Sequence, residues 1–137
     1  MNNVILIDTR KEDFFYNYIR ILTPVINRMC HILSGELCYL RDQDLKVIAD
    51  LMYYYSMAPY NTPLEKNKYI FSNDVSNIIM DKYNMTVYAY NNILWRLRTF
   101  GIIQGKRNSR SLHKVFYMEQ PNNNYDLIIK FNINDTK

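Results

Sequence analysis

Two adjacent carboxamides and a guanidinium, Asn91, Asn92 and Arg96, fall close together in the chain, with Tyr88 just before them. A carboxamide offers a donor and an acceptor side by side and matches the exposed edge of adenine; a guanidinium matches that of guanine. A little further on stand Lys106, Arg107, Arg110 and Lys114. These are forks and point charges suited to phosphate oxygens, which fix position but carry no base information. The set can recognise a polyanion; it contains no group placed to make or break a bond.

The charge distribution sharpens this. Between Lys82 and Met118 there is no Asp or Glu, while Lys82, Arg96, Arg98, Lys106, Arg107, Arg110 and Lys114 give seven positive charges in 37 residues. The whole chain carries +4, so the remaining residues are net negative. A strongly basic segment on a slightly acidic body is the footprint of a surface that meets phosphate. The plainer alternative is a solvated basic face. The 17 asparagines of the chain also weaken any argument from Asn91 and Asn92 alone, and the plainer alternative for Arg98 is an ion pair with a carboxylate of the body. Trp95 has two readings: a core residue packed on the N-terminal helices, or an exposed anchor for another protein, as Trp often is. Tyr53, Tyr54 and Tyr55 are candidates for the same protein interface.

Enzyme chemistry finds little support. Gly35, Gly101 and Gly105 are too scattered to cradle a phosphate. His31 and His113 are the two histidines, and neither pairs with a nucleophile or an acid by spacing. His113 reads as a strand residue. Cys30 and Cys38 lack the paired spacing of a zinc site and read as small buried hydrophobes. No metal, cofactor or small-molecule substrate is expected, nor a membrane span. The apolar run Val4 to Ile7 is too short for a secretory leader, so the expected location is a reducing one.

The elements that must position these groups follow from periodicity. A helix is predicted from about Glu12 to Leu33, with Phe15, Tyr18, Ile19 and Leu22, then Ile26, Met29, Cys30 and Leu33, on one side. Pro24 inside it predicts a kink or a break. A second helix, Asp42 to Ser56, has the stripe Leu45, Ile48, Ala49 and Met52. The proline-bearing, polar stretch to Tyr69 reads as a long loop. A third helix opens at Ser72 or Asn73, buries Val75, Ile78, Ile79 and Tyr83, and stops where Asn84 takes a left-handed turn. A fourth, capped by Thr86, carries Tyr90, Ile93, Leu94 and Leu97 inward and ends at Gly101. Its outward face is Tyr88, Asn91, Asn92, Trp95, Arg96 and Thr99. Ile102-Ile103, a polar turn with Gly105, and an alternating strand from Leu112 to Met118 make a hairpin. Tyr125 to Ile133 is a last strand, with Val4 to Ile7 as its candidate partner.

The helix DLKVIADLMYYY, the pair SNDVSNIIMDKY-NM-TVYAYNNILWRLRTFGII and the hairpin through Tyr117 resemble a winged helix-turn-helix domain over about 80 residues, 39–119. The ending L-R-x-x-G-I-I is similar to the L-x-x-x-G-L-I that closes the recognition helix of many winged-helix repressors. Arg41, where such families often have Thr or Ser, and the long loop before Tyr69 depart from the pattern. The resemblance implies an α+β, mainly helical domain, with residues 1–38 as an N-terminal strand and helical arm and 120–137 as a C-terminal loop and strand. It implies duplex DNA as partner, read by the helix at 86–100 and held by the wing at 104–114. The Asn/Tyr/Ile-rich chain also resembles small proteins of tailed bacteriophages, including crAss-like gut phages. That likeness implies the host cytoplasm or the virion as location. It also implies a second role: a virion component, such as a head-tail connector or ring protein, that packs in a homo-oligomer or on other phage structural proteins.

Overall fold

The computed structural model describes residues 2–8, 14–35, 39–106, 109–117 and 126–132. Among these the chain is mainly helical, with two small antiparallel sheets. In order it forms β1 (Asn2–Asp8), α1 (Phe14–Ser34), α2 (Asp42–Met57), α3 (Pro63–Ile70), α4 (Asn73–Lys82), α5 (Val87–Thr99), β2 (Ile103–Gln104), β3 (Ser111–Leu112), a 3-10 turn (Lys114–Phe116) and β4 (Asp126–Asn132).

The core is built on α2. Val47, Ile48, Leu51 and Met52 are almost fully enclosed, so this helix is buried on more than one side. Phe15, Ile19, Ile26 and Cys30 of α1 close one flank, and Val75 and Ile79 of α4 with Tyr90, Ile93 and Leu97 of α5 close the other. Burial of such side chains contributes roughly 1.5–3 kcal/mol each. α1 runs unbroken through Pro24. The ring removes one backbone donor, and the neighbouring Thr23 hydroxyl donates to the Ile19 carbonyl at 2.9 Å.

Helix ends follow local rules. Ser72 and Thr86 accept the Val75 and Ala89 amides as N-caps. Both α4 and α5 finish in a Schellman turn: the Met85 amide reaches the Met80 carbonyl and the Ile102 amide reaches Leu97, each at 2.9 Å. Left-handed residues make this possible, Asn84 at φ 53 and Gly101 at φ 82. The first turn joins α4 to α5 through four residues; the second sends the chain into the hairpin.

Three features depart from the sequence reading. The stretch read as a long loop contains α3. Thr62 caps it by accepting the Glu65 amide, and Pro63 sits at its first position, where a missing donor costs nothing. The predicted strand Leu112 to Met118 pairs only through Leu112; the chain then turns at His113, whose ring nitrogen accepts the Val115 amide at 3.1 Å, and buries Phe116. Met118 lies outside the described residues, as do Cys38 and Arg107. Finally, Ile78 points outward, 47% exposed, because the buried face of α4 is the narrower pair Val75 and Ile79. β1 and β4 pair antiparallel as expected, with Ile5 opposite Ile129.

Candidate nucleic-acid interface

α5 turns Tyr90, Ile93, Leu94 and Leu97 into the core. The 3.6-residue period then fixes what the opposite side presents. Tyr88 and Trp95 are 77% and 69% exposed. Asn91, Asn92, Arg98 and Thr99 are exposed between and beside them. The structure therefore brings Tyr88, Asn91, Asn92 and Trp95 onto one surface. It removes the reading of Trp95 as core.

Arg96 does not belong to that surface. Its guanidinium turns to α2, where Nε donates to Asp44 Oδ2 at 3.2 Å and Nη2 to Asp44 Oδ1. Asp44 is fully buried, and its Oδ2 also accepts the Arg41 backbone amide at 2.9 Å. One carboxylate thus caps α2, whose N-cap residue Arg41 brings no acceptor of its own, and clamps α5. The physical reason is position: three residues beyond the buried Ile93, Arg96 lies at the edge of the inner face and within reach of α2. Arg96, expected on the nucleic-acid surface, is thus the arginine that pairs with the body, while Arg98 is exposed and makes no ion pair among the described residues. Lys82 also pairs with a body carboxylate, Asp50, at 3.0 Å, although its own side chain stays exposed.

The hairpin and the 3-10 turn after it carry further cations. Lys106 and Lys114 are exposed, and Arg110 is half-buried with its guanidinium 6.0 Å from the Phe71 ring centre. The turn needs Gly105, at φ 87, because an added Cβ would collide with the Ser109 carbonyl. α3 holds the hairpin from the other side. The buried Asn67 amide group donates to Tyr117 Oη at 2.8 Å and to the Pro63 carbonyl, while its oxygen accepts the Leu112 amide at 2.9 Å. The free edge of β3 is thus satisfied by a side chain rather than by a third strand. Asn67 was not legible as a site-supporting residue; the T-P-x-E start of α3 was the available signal.

The tyrosines divide. Tyr55 is buried, stacked on Tyr117 with ring centres 4.3 Å apart, and so is not an interface residue. It was drawn inward because it continues the Met52 stripe. Tyr53 and Tyr54 are half-buried and meet edge to face, with Tyr53 also against Phe15. On the inner side of α4 and α5, burial pushes the Tyr83 phenol up to about 12, helped by Asp50. Burial likewise pushes Tyr90 up to about 12, against the pull of Arg110. Both stay neutral at physiological pH.

Between α5 and the hairpin lies a hollow of about 290 Å³ lined by Asn91, Leu94, Trp95, Arg98, Ile103 and Arg110. A second, of about 460 Å³, lies on the α3 side and shares Arg110. Among the described residues no cluster of three or more metal-ligating side chains occurs, and no helix is long and apolar enough to cross a membrane. No family model matches the chain, and no curated protein or solved structure matches it either.

Proposed function

We propose that the protein is a non-enzymatic winged-helix module that binds duplex DNA. In this reading α2, α4 and α5 are the three helices of the winged helix-turn-helix, with α5 as recognition helix and the β2–β3 hairpin as wing. Asn67 of α3 stands in for the strand that would otherwise edge the wing. The observation that carries the reading is the outer face of α5: Tyr88, Asn91, Asn92 and Arg98 are exposed there, Asn91 and Arg98 share a hollow with Arg110 of the hairpin, and the chain has no Asp or Glu between Lys82 and Met118. The start of α5 would enter the major groove, where Asn91 and Asn92 suit base edges and the hairpin cations suit phosphates. Arg107, outside the described residues, belongs to the same basic turn by sequence.

Anisotropy titration of a labelled mixed-sequence duplex of about 25 base pairs, at low and then physiological salt, tests this. Micromolar or tighter binding that weakens steeply with salt is expected. The variant with Lys106→Ala, Arg107→Ala and Arg110→Ala should lose about tenfold or more at low salt. Absence of binding at low salt overturns the reading.

A second reading rests on a different observation. Val25 and Ile32 of α1 are 59% and 71% exposed and flank an open apolar groove with Pro24 and Met29. With Trp95, that surface supports a structural virion component, a head-tail connector or ring protein, in which the same domain packs against other subunits.

A further inference from the structure

We infer that the hollow between α5 and the hairpin takes an unpaired nucleobase, stacked on Trp95, so that the site prefers a nucleic acid with a single-stranded or extruded base over an uninterrupted duplex. This rests on the nucleic-acid reading above and deepens it.

The lining has the three components such a ligand needs. Leu94 and Ile103 are buried and give an apolar floor. The Trp95 indole stands beside it, 69% exposed, and offers a flat face. The Asn91 carboxamide supplies a donor and an acceptor for a base edge, and Arg98 and Arg110 bring two guanidinium groups for the flanking phosphates. A base stacked on an aromatic ring beside arginines is how single strands are held without strong sequence preference.

The alternative geometry uses Trp95 poorly. Inside an intact duplex every base has both faces covered by its neighbours, so protein side chains meet only edges, sugars and phosphates. An exposed indole on the outer face of α5 would then be solvated or pressed against the backbone. Extruding a base frees a face for the indole, at an unstacking cost that is least where the base is already unpaired. The placement of Arg110 adds to this. It lines the hollow on each side of the hairpin, so a strand leaving the base pocket passes its guanidinium on the way to Lys68, Ser109 and Ser111.

Trp95 is the single tryptophan of the chain, so its fluorescence reports on this site alone. The test follows that emission and, in parallel, the anisotropy of labelled oligonucleotides. The probes are oligothymidylate, a perfect duplex, the same duplex with one unpaired thymidine, and polyglutamate as a polyanion without bases. Oligothymidylate and the bulged duplex should quench Trp95 and bind more tightly than the perfect duplex. Trp95→Leu should lower affinity for the bulged duplex by about tenfold, the scale of one lost stack, and for the perfect duplex by less. Binding of perfect and bulged duplexes with equal affinity and equal quenching overturns the inference while leaving DNA binding intact. So does quenching by polyglutamate equal to that by oligothymidylate, which would mark the hollow as a site for acidic protein segments. No anisotropy change with any nucleic acid overturns both this inference and the reading it rests on.

Discussion

The inner and outer faces of α5 put the same chemistry to opposite uses. On the inner face Arg96 is bound to a fully buried carboxylate, Asp44, and joins α5 to the start of α2. Two residues later, on the outer face, Arg98 is exposed beside Trp95 and makes no ion pair among the described residues. The difference lies in what surrounds each charge. A buried carboxylate without its cation is costly, so Arg96 is part of the fold. An exposed guanidinium in water contributes little to stability and remains available to an anion. Lys82 is intermediate: it pairs with the largely buried Asp50 while its own side chain stays exposed. Of the six described basic residues in the carboxylate-free stretch, four make no ion pair with a described residue: Arg98, Lys106, Arg110 and Lys114.

The largest effect expected from this comparison is on stability. Arg96→Ala leaves Asp44 buried without its cation and should lower unfolding free energy by about 3 kcal/mol, measured by urea denaturation. A loss below about 0.5 kcal/mol, the usual range for exposed sites, would break the contrast. Asn67→Ala comes next. It strips partners from the Leu112 amide and from Tyr117, and should cost about 2 kcal/mol and loosen the hairpin, seen as faster amide exchange at Leu112 and His113.

Raised pKa values on the inner face give a third check. Tyr83 and Tyr90 hold their protons more tightly when folded, so their contribution to stability is full below about pH 10 and is lost as pH rises towards about 12. Titrating phenolate absorbance should show these two tyrosines ionising last, together with alkaline unfolding. If all 13 tyrosines titrate near the ordinary value while the fold persists, the packing assigned to the inner face is wrong. The smallest effect is the most discriminating. Arg98→Ala should leave stability within about 0.5 kcal/mol of the parent, yet reduce the salt dependence of DNA binding by about one unit of log-log slope.

How far these faces were legible in the sequence differs with the range of the forces involved. The stripe Tyr90, Ile93, Leu94 and Leu97 and the caps Ser72 and Thr86 were readable because local periodicity and hydrogen bonding decide them. So was the left-handed Asn84, and so was the pairing of β1 with β4. α3 was hidden by its proline and polar content, although Thr62, Pro63 and Glu65 together spell a helix start. The bend at His113 was not readable, since alternation continues through it and the deciding event is burial of Phe116 in the shared core. Arg96 and Arg98 could not have been told apart by charge or spacing. Their fates depend on Asp44, more than fifty residues away in the chain, being enclosed at the start of α2.

The most direct test of the account is the salt dependence of duplex binding for the parent protein and for the outer-face variant Arg98→Ala/Lys106→Ala/Arg110→Ala. Arg98, Lys106, Arg110 and Lys114, with Arg107 of the same turn by sequence, predict a log-log slope of about −4 for the parent, falling to about −2 in the variant, with thermal stability unchanged. A slope near zero in the parent, or one that the variant does not change, would contradict the assignment of this surface to nucleic acid.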